Sequence, residues 1–255
     1  MLENINPSNI LFLDIETVPQ HASFDEAPKS LRDLWEKKSR SLIKDQAETP
    51  DSIYRQAGIY AEFGKVICIS CGYFSSGNKF RIKSFYGDDE KTVLLDFADL
   101  LKKFFSRNDK LLCAHNGKEF DFPFLSRRMI VNGIKLPAVL DNSGKKPWEV
   151  NHLDTMELWK FGDYKSYTSL LLLATILGIA TPKDDIDGSM VWEVYWKEKN
   201  LERIVNYCQK DVLTVAQIML RFKGDSLLSE KDVELIPYEP GNLKKDNDHK
   251  IYEDV

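Results

Sequence analysis

The chain has 255 residues, of which 43% are hydrophobic and 11% aromatic, and a formal net charge of −5. That composition supplies a large core and excludes a disordered chain, and the acidic balance does not advertise a nucleic-acid binder. It does not exclude one either, because carboxylates gathered around metal ions make a molecule acidic while the loaded site stays near neutral.

The first element is the run Ile10-Leu11-Phe12-Leu13-Asp14-Ile15-Glu16-Thr17. Its apolar half reads as a buried strand, and Asp14 and Glu16, two residues apart, share one strand face. Two carboxylates held that close repel, so each resists ionisation unless something neutralises them. A hard, oxygen-preferring cation such as Mg²⁺ would do so. Two solvated acids at a strand end are the plainer alternative.

Residues 19–60 are polar and irregular and read as an insertion, with a helical stripe over 30–43 (Leu31, Leu34, Trp35, Leu42). Strands at 65–73 and 79–86 flank a Ser/Gly/Asn connection and predict an antiparallel hairpin. Helical periodicity follows at 90–105, a short buried strand at 111–114, and a helix at 121–132 stopped by Gly133. The second half is mainly helical. Asp154 and Thr155 read as caps ahead of a short helix, and Gly178 as the stop of the Leu-rich helix beginning at Leu170. Residues 201–222 form a long amphipathic helix. This order predicts one α/β domain over 1–224 with a mixed five-stranded sheet flanked by helices, and a charged C-terminal tail over 225–255 that packs loosely or not at all. The N-terminus lacks a basic region followed by a long apolar stretch, and no apolar run is long enough to span a bilayer; a cytoplasmic location is expected. Of the four cysteines, Cys68 and Cys71 form a C-x-x-C inside a strand. With no second pair to complete a zinc site, all four read as buried free thiols.

Two further segments offer acids where elements meet. His115-Asn116-Gly117-Lys118-Glu119-Phe120-Asp121 leads into the mid-chain helix, and Asp121 reads either as its cap or as an acid in need of a partner. Tyr207 and Asp211 lie four apart on the long helix and share a face that also carries Ile204 and Val215.

In this order the three segments resemble the DEDD superfamily of 3′-5′ exonucleases, with their ribonuclease H-like fold: Asp-x-Glu on the first strand, an Asp opening a mid-chain helix, and an Asp on a late helix. Tyr207, four residues before Asp211, is similar to the tyrosine branch. Asn116-x-x-x-Phe120-Asp121, with Asp14-Ile15-Glu16-Thr17, resembles the proofreading domain of family-B DNA polymerases over roughly residues 10–222, with no room for palm and fingers. The resemblance implies a stand-alone enzyme that uses two divalent ions, Mg²⁺ or Mn²⁺, to release nucleoside 5′-monophosphates from a single-stranded 3′ end. Asp14, Glu16, Asp121 and Asp211 would hold the ions, with Asp14 bridging both, and Tyr207 would orient the attacking water. Thr17, Asn116 and Phe120 would contact the terminal nucleotides, although Phe120 reads equally well as a core residue. DNA is favoured over RNA. The alternatives are an exoribonuclease, a haloacid-dehalogenase-like phosphatase using Asp14 as nucleophile, and an inactive nucleic-acid-binding module.

Overall fold

The computed structural model describes residues 2–75, 77, 79–163, 167–180 and 186–241. Ten residues, Ile10–Pro19, form β1, buried on both faces along most of its length. Lys29–Ser39 form α1, after which a short 3-10 segment leads into β2, Gly64–Phe74. The hairpin partner β3 is Phe80–Tyr86, antiparallel to β2 from Cys68 opposite Tyr86 to Phe74 opposite Phe80. Positions 76 and 78 of its connection lie outside the described residues. Then come α2 (Glu90–Phe104), β4 (Leu111–Ala114), α3 (Asp121–Val131) and β5 (Leu153–Asp154). The helices α4 (Thr155–Lys160), α5 (Leu170–Ile176), α6 (Val191–Trp196) and α7 (Leu201–Lys223) follow, and β6 is Val233–Ile236.

The strands form one sheet in the order β5-β4-β1-β2-β3-β6. β1–β2 and β2–β3 are antiparallel, whereas β1–β4, β4–β5 and β3–β6 are parallel. This is the expected mixed α/β sheet flanked by helices, with six strands instead of five. The sixth comes from the expected tail. Residues 225–241 return to the sheet, where Arg81 pairs with Glu234 at 3.0 Å and Tyr238 donates to Asp96 at 2.8 Å. Residues 242–255 lie outside the described part.

Alternation along β1 splits the core in two. Leu11, Leu13 and Ile15 enter a cluster with α2 and α3, while Ile10 and Phe12 enter one with Val212, Val215 and Met219 of α7. α7 lies close over β2 because Gly72 has no side chain: a Cβ there would come within 2.4 Å of Phe80 and 2.9 Å of Val212. The helix is capped by the Asn200 side chain at its start and ended by Gly224 in the left-handed conformation.

The 19–60 segment has a small core of its own. Trp35 is fully buried among Tyr54, Tyr60 and Phe63, and its indole N–H donates to the Pro50 carbonyl at 2.7 Å. The helix inside it, α1, is shorter than its apolar stripe suggested. Trp192 of α6 donates to the Ala22 carbonyl and stacks under Arg55, tying the insertion to the α7 side of the sheet. Among the described residues no helix is long and apolar enough to cross a membrane.

Candidate active site

Asp14 and Glu16 continue the face of β1 set by Ile10 and Phe12, so both carboxylates emerge beneath α7. Between them and Thr17 the register against β2 slips by one: Glu16 lies opposite Cys68 and Thr17 opposite Val66, leaving Ile67 as the extra residue of a bulge. Such a bulge twists the strand locally and re-aims the side chains beside it. Thr17 is half-buried at this point.

Asp121 arrives from the other side. β4 covers β1 only from Ile10 to Phe12, and the chain then leaves the sheet at His115. On the edge so exposed, the Ile15 N–H donates to the Asp121 carboxylate. Asp121 is the first residue of α3, and no side-chain cap closes that helix end. Its carboxylate thus faces its own N–H and, more weakly, that of Ile15 on β1, and it does not serve as the cap that its sequence position also suggested.

The turn that delivers Asp121 is held by Asp154. That carboxylate caps α4 through the N–H groups of Met156 and Glu157, and it also accepts from Asn116 N–H at 3.0 Å and Lys118 N–H at 3.1 Å. Asn116 sits in the left-handed region with φ of 62°. Gly117 follows because a Cβ there would lie 2.4 Å from that of Ala114. Sequence reading found the cap and missed the grip on 116–118; the parallel register that sets Ala114 beside Asp154 creates it. Phe120 is partly buried, packs on the α2–α3 core and lies 5.4 Å from the Phe124 ring, so the core role weighed for it is met.

α7 closes the site. Tyr207 hydrogen-bonds to Asp211 one turn on, and the Asp211 charge reaches both Asp14 and Glu16. A polar chain in an otherwise apolar interface fixes the helix over the sheet: Gln209 donates to Ser84 at 2.9 Å, Ser84 meets Ser70 at 2.8 Å, and Ser70 lies 3.8 Å from the Cys68 sulfur. The structure thus gathers Asp14, Glu16, Asp121, Tyr207 and Asp211 into one cluster, while Asn116 and Phe120 belong to the turn that leads into Asp121.

The cluster is electrostatically unsatisfied. Burial first, then the charges of Glu16, Asp211 and Asp121, hold the Asp14 carboxyl well above the usual carboxylate range. Glu16 is raised likewise, by burial and then Asp211. Burial pushes Asp121 up to about 7. Asp14 Oδ2 is buried with no hydrogen-bond partner. A set of four carboxylates carrying an orphaned buried oxygen and excess negative charge fits a hard divalent cation. Burial first, and the neighbouring carboxylates second, also raise Tyr207 above its ordinary value, which keeps its phenol protonated as a hydrogen-bond donor.

An Asp whose folded pKa is raised from the ordinary 3.8 to about 7 holds a proton that the unfolded chain has already released. Asp121 therefore costs the metal-free fold stability as pH rises through this window, and Asp14 and Glu16, raised in the same direction, add to that loss. A divalent ion such as Mn²⁺, were it held by these carboxyls, would replace those protons, and the gain in Tm on adding Mn²⁺ would then grow from pH 5 to pH 7.5. Thermal melts with and without the ion check this; a pH-independent gain would contradict the raised carboxyls.

Residues 59–234 match a family model described as "Predicted 3'-5' exonuclease related to the exonuclease domain of PolB". Asp121, Tyr207 and Asp211 fall inside the match, whereas Asp14 and Glu16 precede it and join the site through geometry alone. Among solved structures, the chain is similar to the family B DNA polymerase from the hyperthermophilic archaeon Pyrobaculum calidifontis. The identity is 19% and the TM-score 0.46, over 83% of this chain and 24% of the polymerase. This chain thus spans about a quarter of the polymerase's length. The family match covers more than half of the chain and includes the helices that carry three of the five clustered residues, and on that ground the chain belongs to the family of predicted 3′-5′ exonucleases related to the exonuclease domain of PolB.

Proposed function

We propose that the protein is a metal-dependent exonuclease of the tyrosine branch that shortens single-stranded nucleic acid from its 3′ end, with DNA preferred, and releases nucleoside 5′-monophosphates. The observation that carries this reading is the convergence of four carboxylates and Tyr207 around the partnerless Asp14 Oδ2. Asp14, Glu16, Asp121 and Asp211 would hold two divalent ions, Mg²⁺ or Mn²⁺, which supply an activated water and neutralise charge on the leaving oxygen.

The chain's own groups do the rest. Ile15 N–H and the Asp154-gripped turn fix Asp121 against β1, so the acids are placed before any ion arrives. Tyr207, protonated and anchored to Asp211, offers its hydroxyl to orient the attacking water, a positioning role that its raised pKa favours over proton abstraction. Asn116 and Thr17 present polar groups to the terminal nucleotide, and the partly exposed edge of Phe120 offers a surface for base stacking. A cavity of about 790 Å³ is lined in part by Asn116, Lys118 and Glu119 of this turn. Its basic side chains, among them Arg127 and Lys160, are offset by acids such as Glu119 and Asp163, so its charge alone does not define a phosphate track. The four buried free thiols suit a reducing, cytoplasmic setting. A phosphatase using Asp14 as a covalent nucleophile leaves the Tyr207–Asp211 pair idle, and nothing else favours it.

The test uses 5′-labelled single-stranded DNA and RNA of matched sequence with Mg²⁺ or Mn²⁺. A shortening ladder that keeps its label, stronger on DNA and abolished by excess EDTA, is expected. Early release of the label as a mononucleotide would contradict the polarity, and equal or faster cutting of RNA would overturn the DNA preference.

A further inference from the structure

Beside the two acids of β1 lies a sulfur atom that a hard-metal nuclease site does not require. Cys208, between Tyr207 and Asp211 in sequence, is fully buried and points at β1, where its thiol donates to the Asp14 carbonyl at 3.4 Å. One ligand atom each from Asp14, Glu16 and Cys208 lies within 4.8 Å of the others. Cys68, opposite Glu16 on β2, lies near enough to Cys208 and to Glu16 to act on their charges. Two further observations point to a ligand here. Asp14 Oδ2 is buried without a partner, and Glu16, only 8% exposed, meets neighbouring negative charge.

We propose that Asp14, Glu16 and Cys208 form a thiophilic cation site in which Zn²⁺, or its probe Cd²⁺, is captured in competition with the hard ions and inhibits the enzyme. The inference rests on the reading of Asp14 and Glu16 as metal ligands and adds sulfur to their set. Oxygen ligands suit Mg²⁺ and Mn²⁺, whereas a thiolate selects Zn²⁺ and Cd²⁺. Ligand atoms on one tetrahedral zinc ion stand about 3.5 Å apart, given bonds of about 2.0–2.3 Å. The three atoms therefore close on such an ion by movements of about an ångström, within reach of side-chain rotation. On binding, the thiol gives its proton to solvent and the sulfur takes the ion. An ion so held occupies both carboxylates of β1 and is drawn toward α7 by the Cys208 sulfur.

The experiment titrates metal-stripped full-length protein with Cd²⁺ and follows the ultraviolet sulfur-to-cadmium charge-transfer band, with Mn²⁺ as competitor and Cys208→Ser as the variant. Wild type should show a band that saturates at one Cd²⁺ per chain and is displaced by excess Mn²⁺. In Cys208→Ser the band should vanish, and the ratio of Cd²⁺ to Mn²⁺ affinity should fall by about tenfold or more, as loss of a metal-supporting partner typically costs. Should the variant fail to fold, ¹¹³Cd NMR of the wild type reads sulfur ligation directly. Cd²⁺ binding without a band, a band that Mn²⁺ does not displace, or a band surviving in Cys208→Ser would each overturn the proposal. Failure of Mn²⁺ to bind at all is a different outcome, since it would remove the carboxylate metal site itself.

Discussion

Asp14→Asn is expected to abolish nuclease turnover while leaving the metal-free protein at least as stable as the wild type. The substitution keeps the shape of the side chain and removes its charge. In the native site that charge is buried and faces Glu16, Asp211 and Asp121, and one of its oxygens has no partner. An unsatisfied buried polar group costs about 1–3 kcal/mol. The new amide gains an N–H₂ that the surrounding carboxylates can accept, so the metal-free Tm should hold or rise, by about 2–4 °C per kcal/mol in a chain of this size. Activity moves the other way. Loss of a direct metal ligand should cost on the order of a thousandfold or more, well beyond the ~10–100-fold of an outer partner. Melts and single-turnover rates on one protein preparation decide the matter. A variant that melts far below wild type would make Asp14 a structural residue, and one that retains its rate would remove the anchor of the site.

How much of this was legible without coordinates depends on the range of the interaction concerned. Asp14 and Glu16 could be paired from strand alternation, and Tyr207 with Asp211 from helical spacing, because both relations are local. The meeting of the three segments was implied only by their order. What physically joins Asp121 to β1 is the early departure of β4 after three paired residues, which exposes the Ile15 N–H, and no periodicity announces where a parallel pairing stops. Asp154 shows the same limit: its cap was visible, but its bonds to Asn116 and Lys118 span nearly forty residues. β6 was missed because Val-Glu-Leu-Ile is short, sits among charges and precedes Pro237. It forms through parallel pairing with β3 and the Arg81–Glu234 ion pair, about 150 residues apart in sequence. The insertion read as irregular because its core is built around a single tryptophan, Trp35, and not around a repeating stripe. Cys208 read as an inert buried thiol. Its exposure, zero, agrees with that reading; its neighbours do not.

Tyr207→Phe and Asp211→Asn, one helical turn apart, are expected to fail differently, and the contrast separates positioning from metal binding. The phenylalanine keeps the ring that packs against the α6–α7 cluster and loses the hydroxyl that bonds to Asp211. If that hydroxyl orients the attacking water, kcat should fall by roughly ten- to a hundredfold, at or below the low end for groups that handle protons. Mn²⁺ affinity should change little, since no ligand is removed, and the fold should survive. The pH profile adds a second reading: a phenol raised above its ordinary value stays protonated through the working range, so its removal should scale the whole profile down without moving its acid limb. Asp211→Asn instead withdraws a charge that acts on both Asp14 and Glu16. It should weaken Mn²⁺ binding measurably by calorimetry and cost far more rate than the tyrosine variant. Relief of that repulsion lets the remaining carboxyls ionise more readily, so the proton release that accompanies Mn²⁺ binding should also shrink. Were Tyr207→Phe to leave kcat unchanged, Tyr207 would be a packing residue with an incidental hydrogen bond. Were it to abolish Mn²⁺ binding, the phenol would belong to the ion's own shell, and the proposed division of labour along α7 would be wrong.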